Sequence, residues 1–521
     1  MSDPQHPPSG PDGQTEPADG DLSELFGGHL AELTGQRREK LAVWRDEGVE
    51  PYPVGVEVTD ALGSVVDRYA GTLEPGQETE DVVHVAGRIV LRRGHGKLVF
   101  LVLRERGVQL QAMVSLAEVG DAAMAGVDRL DTGDWVAVTG RVISSRRGEL
   151  SVMASAVRII SKALRPLPDK FHGLSDTDTR YRQRYVDLIV NAESRAVFGV
   201  RSATMQALRA ELNDRRFTEV ETPMLHPIPG GAVAKPFVTH HNALDVDLYL
   251  RIAPELYLKR LVVGGMDRVF EMGRVFRNEG LSPRHNPEFT ILETYEAYAD
   301  HEAVMALTEA LIRRAAREAT GGEQVTYDGR EVDLSGPFPR VPLLQLAREA
   351  TGVTDLAYDS DLSEVRALCD LHEVSWHESW GVQKLIVEVY EKLVEPTLWQ
   401  PTFVTEHPVE TSPLAHAHRE LPHVTERFEL IVVGREMANG FSELTDPDDQ
   451  RARFEDQAKA KAAGDEEAMT VDEDYLRALE YGLPPTGGLG IGVDRLVMLL
   501  AGVQTIRDVI LFPTLRPEAL G

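Results

Sequence analysis

Cysteine is nearly absent. Cys369 stands alone among 521 residues, which excludes an internal disulfide framework and any site built from several thiolates. No apolar run approaches the ~18 residues a membrane helix needs, so an integral membrane protein is excluded. The first twenty residues have no Lys or Arg and no apolar stretch, so they do not read as a secretory leader. Together these absences point to the cytosol. Phosphate-binding signatures are missing too: there is no G-x-x-x-x-G-K-[ST] loop, so any use of ATP needs another fold. His372-Glu373 and His377 are one residue too far apart for an H-E-x-x-H zinc helix. His240 and His241 are adjacent and would face opposite ways on a strand. Positive charge is scarce, with 55 Lys+Arg against 84 Asp+Glu and a net of −29. That argues against a general nucleic-acid binder, whose affinity comes from neutralising phosphates.

The deficit is local. From Val83 to Lys170 there are 14 basic and 8 acidic residues, a net of +6. A basic module sits inside an acidic chain. Hydrophobic residues make up 42% and charged residues 27%, ordinary values for a globular protein. At roughly 150 residues per domain the length suits about three units, or one small and one large.

Residues 1–21 are rich in Pro, Gly and acidic side chains and read as a disordered tail. Residues 22–60 begin with helical spacing from Leu22 to about Gly48 and break at Pro51-Tyr52-Pro53. The run Arg37-Arg38-Glu39-Lys40 suits either a solvated helix face or a contact with nucleic acid. Residues 61–162 hold five alternating segments, Val82–Ile89, Lys97–Leu103, Val108–Val114, Asp134–Val142 and Glu149–Ile159, most of them separated by glycine-containing turns. Five short strands suit an OB-fold barrel, whose outer face stacks bases on aromatics beside basic groups. Phe100 with Arg92, Arg93 and Lys97 would serve, unless Phe100 is core. Residues 163–178 read as a stiff linker. From 179 to 521 helical and strand-like stretches mix without βαβ regularity, which predicts an α+β fold with an antiparallel sheet. Met205, Leu208 and Leu212 share a helix face, and Phe217–Glu221 reads as a strand ending at Pro223.

Three polar clusters carry chemistry. The first is Arg274 to Gly280, a short loop, then Arg284 to Phe289; strand, loop, strand is its plain reading. Period two puts Arg277 and Glu279 on one side, and an Arg there can grip phosphate. A surface hairpin with solvated ion pairs fits the spacing as well. In the second, Glu429, Glu436 and Glu443 recur every seven residues between apolar segments. Such carboxylates suit Mg²⁺ with phosphates, a substrate ammonium, or structural salt bridges. The third is Gly488-Leu-Gly490-Ile-Gly492-Val-Asp494-Arg495, opening an apolar helix. Helix N-termini favour anions, although glycines in this spacing also serve simple packing turns.

In this order the clusters resemble the motifs of class II aminoacyl-tRNA synthetases. Phe217–Pro223 looks like motif 1, Phe276-Arg277-Asn278-Glu279 like motif 2 and Gly488–Arg495 like motif 3. Closer still, the chain resembles the bacterial class II lysyl-tRNA synthetases. The phrases that carry this are Arg180–Asp187, Gly230-Gly231, Thr239–Asn242, Arg251–Leu258 and Asn439–Leu444, and the likeness runs from about Gln36 to the end.

The resemblance implies a six-stranded antiparallel catalytic sheet flanked by helices and preceded by an anticodon-binding OB-fold. It implies a homodimer formed through motif 1. With ATP and Mg²⁺, such enzymes turn lysine into lysyl-adenylate plus pyrophosphate. They then pass lysine to the 3′-terminal ribose of tRNA(Lys). By position, Arg277 would hold the α-phosphate and the lysine carboxylate, with Glu279 and His285 at the ATP site. Phe289 would lie on adenine, Arg495 on the γ-phosphate, and Glu429 and Glu436 on Mg²⁺. Glu255 and the Gly231 carbonyl resemble α-amino contacts. Glu293, Tyr295 and Glu443 resemble side-chain ammonium contacts, with Asn439 and Phe441 completing the pocket. Phe100 and Gln111 match anticodon-reading positions, with Arg88 as companion.

The sequence departs from the family pattern at Gly273, where many relatives have Asn, and at Glu296. Further departures are His416-Ala-His418-Arg419 and Leu103–Gly107. None removes an assigned ligand. A paralogue that adenylates lysine or another amine outside translation is a second reading. A noncatalytic RNA-binding protein is a third, and the retained Arg277, Glu429, Glu436 and Arg495 argue against it.

Overall fold

The computed structural model describes residues 22–94, 96–168, 174–462 and 469–517. The expected acidic tail therefore lies outside the described residues, as do positions 169–173 of the expected linker. The chain divides into two compact units, Met1–Ser175 and Asp176–Gly521.

In the first unit β1 (Glu78–Arg93), β2 (Leu98–Glu105), β3 (Val108–Ser115), β4 (Trp135–Ser144) and β5 (Leu150–Ser161) close a barrel in the order β1-β2-β3-β5-β4. Alternation builds it: Val99, Leu101 and Leu103 of β2 and Leu110, Ala112 and Val114 of β3 point inward and are buried. β1 runs further at both ends than the expected Val82–Ile89. Irregularities between Glu78 and Val82 and between Ile89 and Leu91 bend it, so one strand continues along two neighbours.

The helix Leu22–Asp46 settles the basic run. Arg37 turns inward and donates to the carbonyls of Ala163, Arg165 and Thr132, while Lys40 reaches Asp131 at 2.6 Å. Neither a solvated face nor a nucleic-acid contact describes these two residues; they hold the helix on its own unit.

The second unit contributes β6 (Thr218–Glu219), β7 (Leu225–His226), β8 (Val238–His241), β9 (Val246–Leu250), β10 (Arg268–Phe276) and β11 (Glu288–Ala297). Next come β12 (Gln324–Tyr327), β13 (Arg330–Asp333), β14 (Arg340–Pro342), β15 (Thr402–Thr405), β16 (Arg427–Val432), β17 (Arg435–Ser442) and β18 (Thr486–Gly492). The main sheet has the order β14-β15-β16-β17-β18-β11-β10-β6. Its inner six strands pair antiparallel. Short parallel strands add one to each edge. The expected strand Phe217–Glu221 shrinks to β6, which meets only Val269 and Phe270.

One face of this sheet is apolar. Leu292, Leu430, Ala438 and Ile491 pack there with side chains of the helices Ala192–Asp214, His301–Thr320 and Val493–Ala501. Leu208 and Leu212 are fully buried in that core, worth about 1.5–3 kcal/mol each. The helices cover one side, and the opposite side is left for polar residues. No described helix is long and apolar enough to cross a membrane.

Candidate active site

Register places the polar side chains. Glu429, Asn439, Gly490, Glu293 and Glu271 form one cross-strand row through β16, β17, β18, β11 and β10. The next row is Arg427, Phe441, Gly488, Tyr295 and Val269. Residues directly opposite share a face, so β18 contributes glycine where its neighbours contribute large side chains.

The glycine motif is thus a central strand rather than a packing turn, and its helix starts at Val493. Space, not a left-handed backbone, demands the glycine. A Cβ on Gly488 would collide with Glu443 Oε1 and lie 2.7 Å from Tyr295 Cε1.

Into that trough project the acidic residues. Glu255 opens the helix Glu255–Val263, and Lys259 follows one turn later. Lys259 Nζ donates to Glu255 Oε1 at 2.7 Å and to Glu443 Oε2 at 2.6 Å. Glu443 Oε1 is buried and has no hydrogen-bond partner. Tyr295 donates its hydroxyl to Glu293 Oε2 at 3.0 Å. Burial, then the neighbouring Glu255 carboxylate, pushes the Glu293 carboxyl far above its ordinary range. Burial alone would depress Lys259, but Glu255 and Glu443 outweigh it and hold its ammonium above the usual value. Gly231 has φ +86°, and a Cβ there would sit 3.1 Å from Glu255 Cβ. Gly231, Glu255, Glu293, Tyr295, Phe441 and Glu443 therefore converge, and Asn439 lies one row away.

A second group lies along the hairpin that joins β16 and β17. The seven-residue spacing does not make one site. Glu436 and Glu443 are separated by about 23 Å of extended strand. Glu429 and Glu436 lie on the two strands of one hairpin, turned through Val433 and Gly434, both at positive φ. Neither carboxylate is isolated: Arg427 Nη2 reaches Glu429 Oε1 at 2.6 Å, and Arg495 Nη1 reaches Glu436 Oε2 at 3.1 Å. Burial and the charges of Glu429, Glu391 and Glu436 push the nearby Glu395 carboxyl up to about 7, the mark of a negative local field. Among the described residues no group of three or more His, Cys, Asp or Glu is placed to hold a metal alone. Two hard carboxylates fit Mg²⁺ when phosphate oxygens complete its shell.

Arg277 lies past the end of β10, in the loop between β10 and β11, so the period-two argument pairing it with Glu279 does not apply. Its guanidinium stands 5.1 Å from the Phe289 ring centroid, and its buried Nε has no partner. His285 Nδ1 meets Ser282 Oγ at 2.9 Å. Burial and Arg495 hold its imidazole below the usual value. Electrostatics couples Arg277 to Glu279, Glu436 and Arg495, whereas Glu279 is exposed.

Comparison with known proteins gives the family. The family described as tRNA synthetases class II (D, K and N) matches residues 176–516, and the OB-fold nucleic acid binding domain matches residues 83–160. The lysine–tRNA ligase of Azoarcus sp. (strain BH72) is 51% identical over 498 residues, covering 93% of this chain and 97% of that protein. That of Pelotomaculum thermopropionicum is 51% identical over 503 residues, covering 96% and 98%. The chain belongs to the class II lysine–tRNA ligase family.

Other residues of this synthetase support the site and were not among the expected ones. Lys259 is the first. The second is Arg427, which holds Glu429, the Asn439 side chain (2.9 Å), Thr411 and Ser412 together. The third is Arg251, fully buried, which pairs with Glu271 and donates to the Arg274 carbonyl at 2.8 Å. At Gly273, where the sequence departs from the family pattern, an added Cβ would meet the flexible end of the Arg251 side chain. Asp494 fixes the start of the last motif: it pairs with Arg201 at 2.5 Å and accepts from Thr290 N at 2.6 Å.

In the barrel of the synthetase, Phe100 is not core. Its neighbours Val99 and Leu101 are 0% exposed, while Phe100 lies outward opposite Arg93 and Met113. Gln111 shares the outer side but is buried. Its Nε2 donates to Ser151 Oγ at 2.9 Å, and its Oε1 accepts from Arg93 at 3.3 Å. Arg88 donates to the Gly133 carbonyl at 2.9 Å and stands 4.9 Å from the Trp135 ring centroid.

Proposed function

We infer that this chain is an ATP-dependent lysine–tRNA ligase, with L-lysine bound in the trough lined by Glu255, Glu293, Tyr295 and Glu443. The observation that carries the assignment is the unpartnered Glu443 Oε1, buried beside a glycine strand with more carboxylates than cations around it. Lys259 balances only one of these buried carboxylates, and buried anions left without a counter-charge are costly. A substrate ammonium at Oε1 supplies that charge.

In the first step the lysine carboxylate oxygen attacks the α-phosphorus of ATP and expels pyrophosphate. Charge neutralisation and positioning govern this step, and no protein base is needed. Arg277 would meet the α-phosphate and the lysine carboxylate, and its free Nε fits a phosphate oxygen. Arg495 would meet the γ-phosphate, while Phe289, Glu279 and His285 complete the ATP site. Glu429 and Glu436 would hold Mg²⁺, which withdraws charge from the phosphates when bound. In the second step a 3′-terminal ribose hydroxyl of tRNA(Lys) attacks the acyl carbon and releases AMP. Phe100, Gln111 and Arg88 on the barrel would read the anticodon.

A homodimer is supported by the small sheet β7-β9-β8 and its flanks, which expose the apolar side chains of Met224, Leu225, Val238, Leu244 and Val246, the kind of residues that mark an interaction surface. With a single buried cysteine, a reducing cytoplasm suits the chain. Lysine-dependent pyrophosphate exchange followed by acylation of transcribed tRNA(Lys) tests the assignment. Exchange without acylation favours the paralogue, and neither activity rules out the ligase.

A further inference from the structure

We propose that Lys259 is a positioning residue that sets the charge of the lysine pocket: its ammonium aims Glu255 and Glu443 and leaves one oxygen of Glu443 for the substrate. The inference rests on the assignment of the pocket to lysine.

The geometry is specific. Lys259 is 0% exposed, and its Nζ takes Glu255 Oε1 at 2.7 Å and Glu443 Oε2 at 2.6 Å. The Tyr475 and Phe441 rings close round it, at 5.5 and 6.0 Å to their centroids. The two carboxylates come from different elements, the start of a helix and the residue just after β17. One buried ammonium therefore joins the two ends of the pocket. With Oε2 taken, Glu443 can meet an incoming cation only through Oε1, the atom pressed against Gly488 and Tyr295.

The charge count gives this consequence. Glu255, Glu293 and Glu443 are three buried carboxylates, and Lys259 is the one ammonium bonded among them. Fully ionised, the group lacks two positive charges. Lysine brings two, on its α- and ε-amino groups, and its own carboxylate falls to Arg277. A pocket without Lys259 would lack three, and lysine could not balance it. Lys259 thereby matches the pocket to a diamino acid rather than to a more highly charged polyamine.

The test is ATP–pyrophosphate exchange on the full-length enzyme with Lys259→Met, Lys259→Gln and Glu443→Gln, each with a melting curve. Lys259→Met should raise the lysine KM about 30-fold or more, the low end of what losing one partner of a buried charge pair costs. The ATP KM should not change. In a Glu443→Gln background the same substitution should cost much less, because its partner is already neutral. Lys259→Gln keeps a donor and should be folded with an intermediate lysine KM; it replaces the Met variant should that not fold. A folded Lys259 variant with wild-type lysine KM, beside a Glu443→Gln variant whose lysine KM rises, overturns the proposal and leaves the pocket standing. Equal loss on both substrates with a lower melting temperature assigns Lys259 a purely structural role and also overturns it. An unchanged lysine KM in Glu443→Gln removes the lysine pocket itself, and the proposal with it.

Discussion

The proposed lysine pocket and the outer face of the barrel both carry charge, and they are built in opposite ways. In the pocket the charges are buried and bonded to one another: Lys259 is enclosed by two carboxylates and two aromatic rings. On the barrel Phe100 and Arg93 lie outside a fully apolar interior. A small cationic amino acid is distinguished by charges held out of water, where each interaction is strong and directional. A long polyanion is met by surface groups that act additively and are screened by salt. Damage in the pocket should therefore be large and confined to one substrate. Damage on the barrel should be moderate and confined to tRNA.

The largest expected effect is Glu443→Gln. Removing the charge should raise the lysine KM by about 2–5 kcal/mol of lost interaction, with ATP kinetics intact in pyrophosphate exchange. Next comes Glu436→Gln. Adenylate formation should be lost, while the melting temperature barely moves. Its ion pair with Arg495 is half exposed, and such pairs contribute about 0–1 kcal/mol. An early-melting variant that still exchanges pyrophosphate at saturating Mg²⁺ would make Glu436 structural instead.

On the barrel, Phe100→Ala should lower kcat/KM for tRNA about 5- to 150-fold, the worth of one stacked base, and leave exchange untouched. Leu101→Ala, one residue along the same strand, should cost about 2–5 kcal/mol of stability. If the two variants behave alike in melting and in both assays, the inside–outside division of β2 fails.

The smallest effect is a proton. Burial and Glu255 push the Glu293 carboxyl well above its ordinary range in the free pocket, favouring its protonated form. An arriving ammonium favours the ionised form and lowers that value, so binding releases a proton and lysine affinity rises with pH. Calorimetry in buffers of different ionisation enthalpy reads the release directly. Proton uptake would reverse the sign and contradict the assignment of Glu293.

Much of this was legible in the sequence because it rests on short-range pattern. Alternation exposed the five barrel strands, and the spacing Met205–Leu208–Leu212 exposed the helix Ala192–Asp214. The pocket residues were named through the family likeness of short phrases, not through spacing. Spacing failed where three dimensions were needed. The even intervals between Glu429, Glu436 and Glu443 suggested one cluster, yet a strand carries Glu443 to the other end of the sheet. Glycines whose spacing suits a helix start or a packing turn form a strand, since what they make room for, Glu443 and Tyr295, is distant in sequence. Two supporting residues did leave a local signal. Glu255 and Lys259 are four apart on a helix, the spacing of an ion pair, and Arg427 precedes Glu429 by two on a strand, on the same face. Arg251 left none, because its partner Glu271 lies on another strand.

The central claim is that buried carboxylates in the trough select an amino acid by its side-chain ammonium. Pyrophosphate exchange with L-lysine and with L-norleucine, which has the same four-carbon side chain and no side-chain ammonium, tests it most directly. The account predicts exchange with lysine and none detectable with norleucine at equal concentration. Comparable exchange with norleucine, or none with lysine, would contradict it.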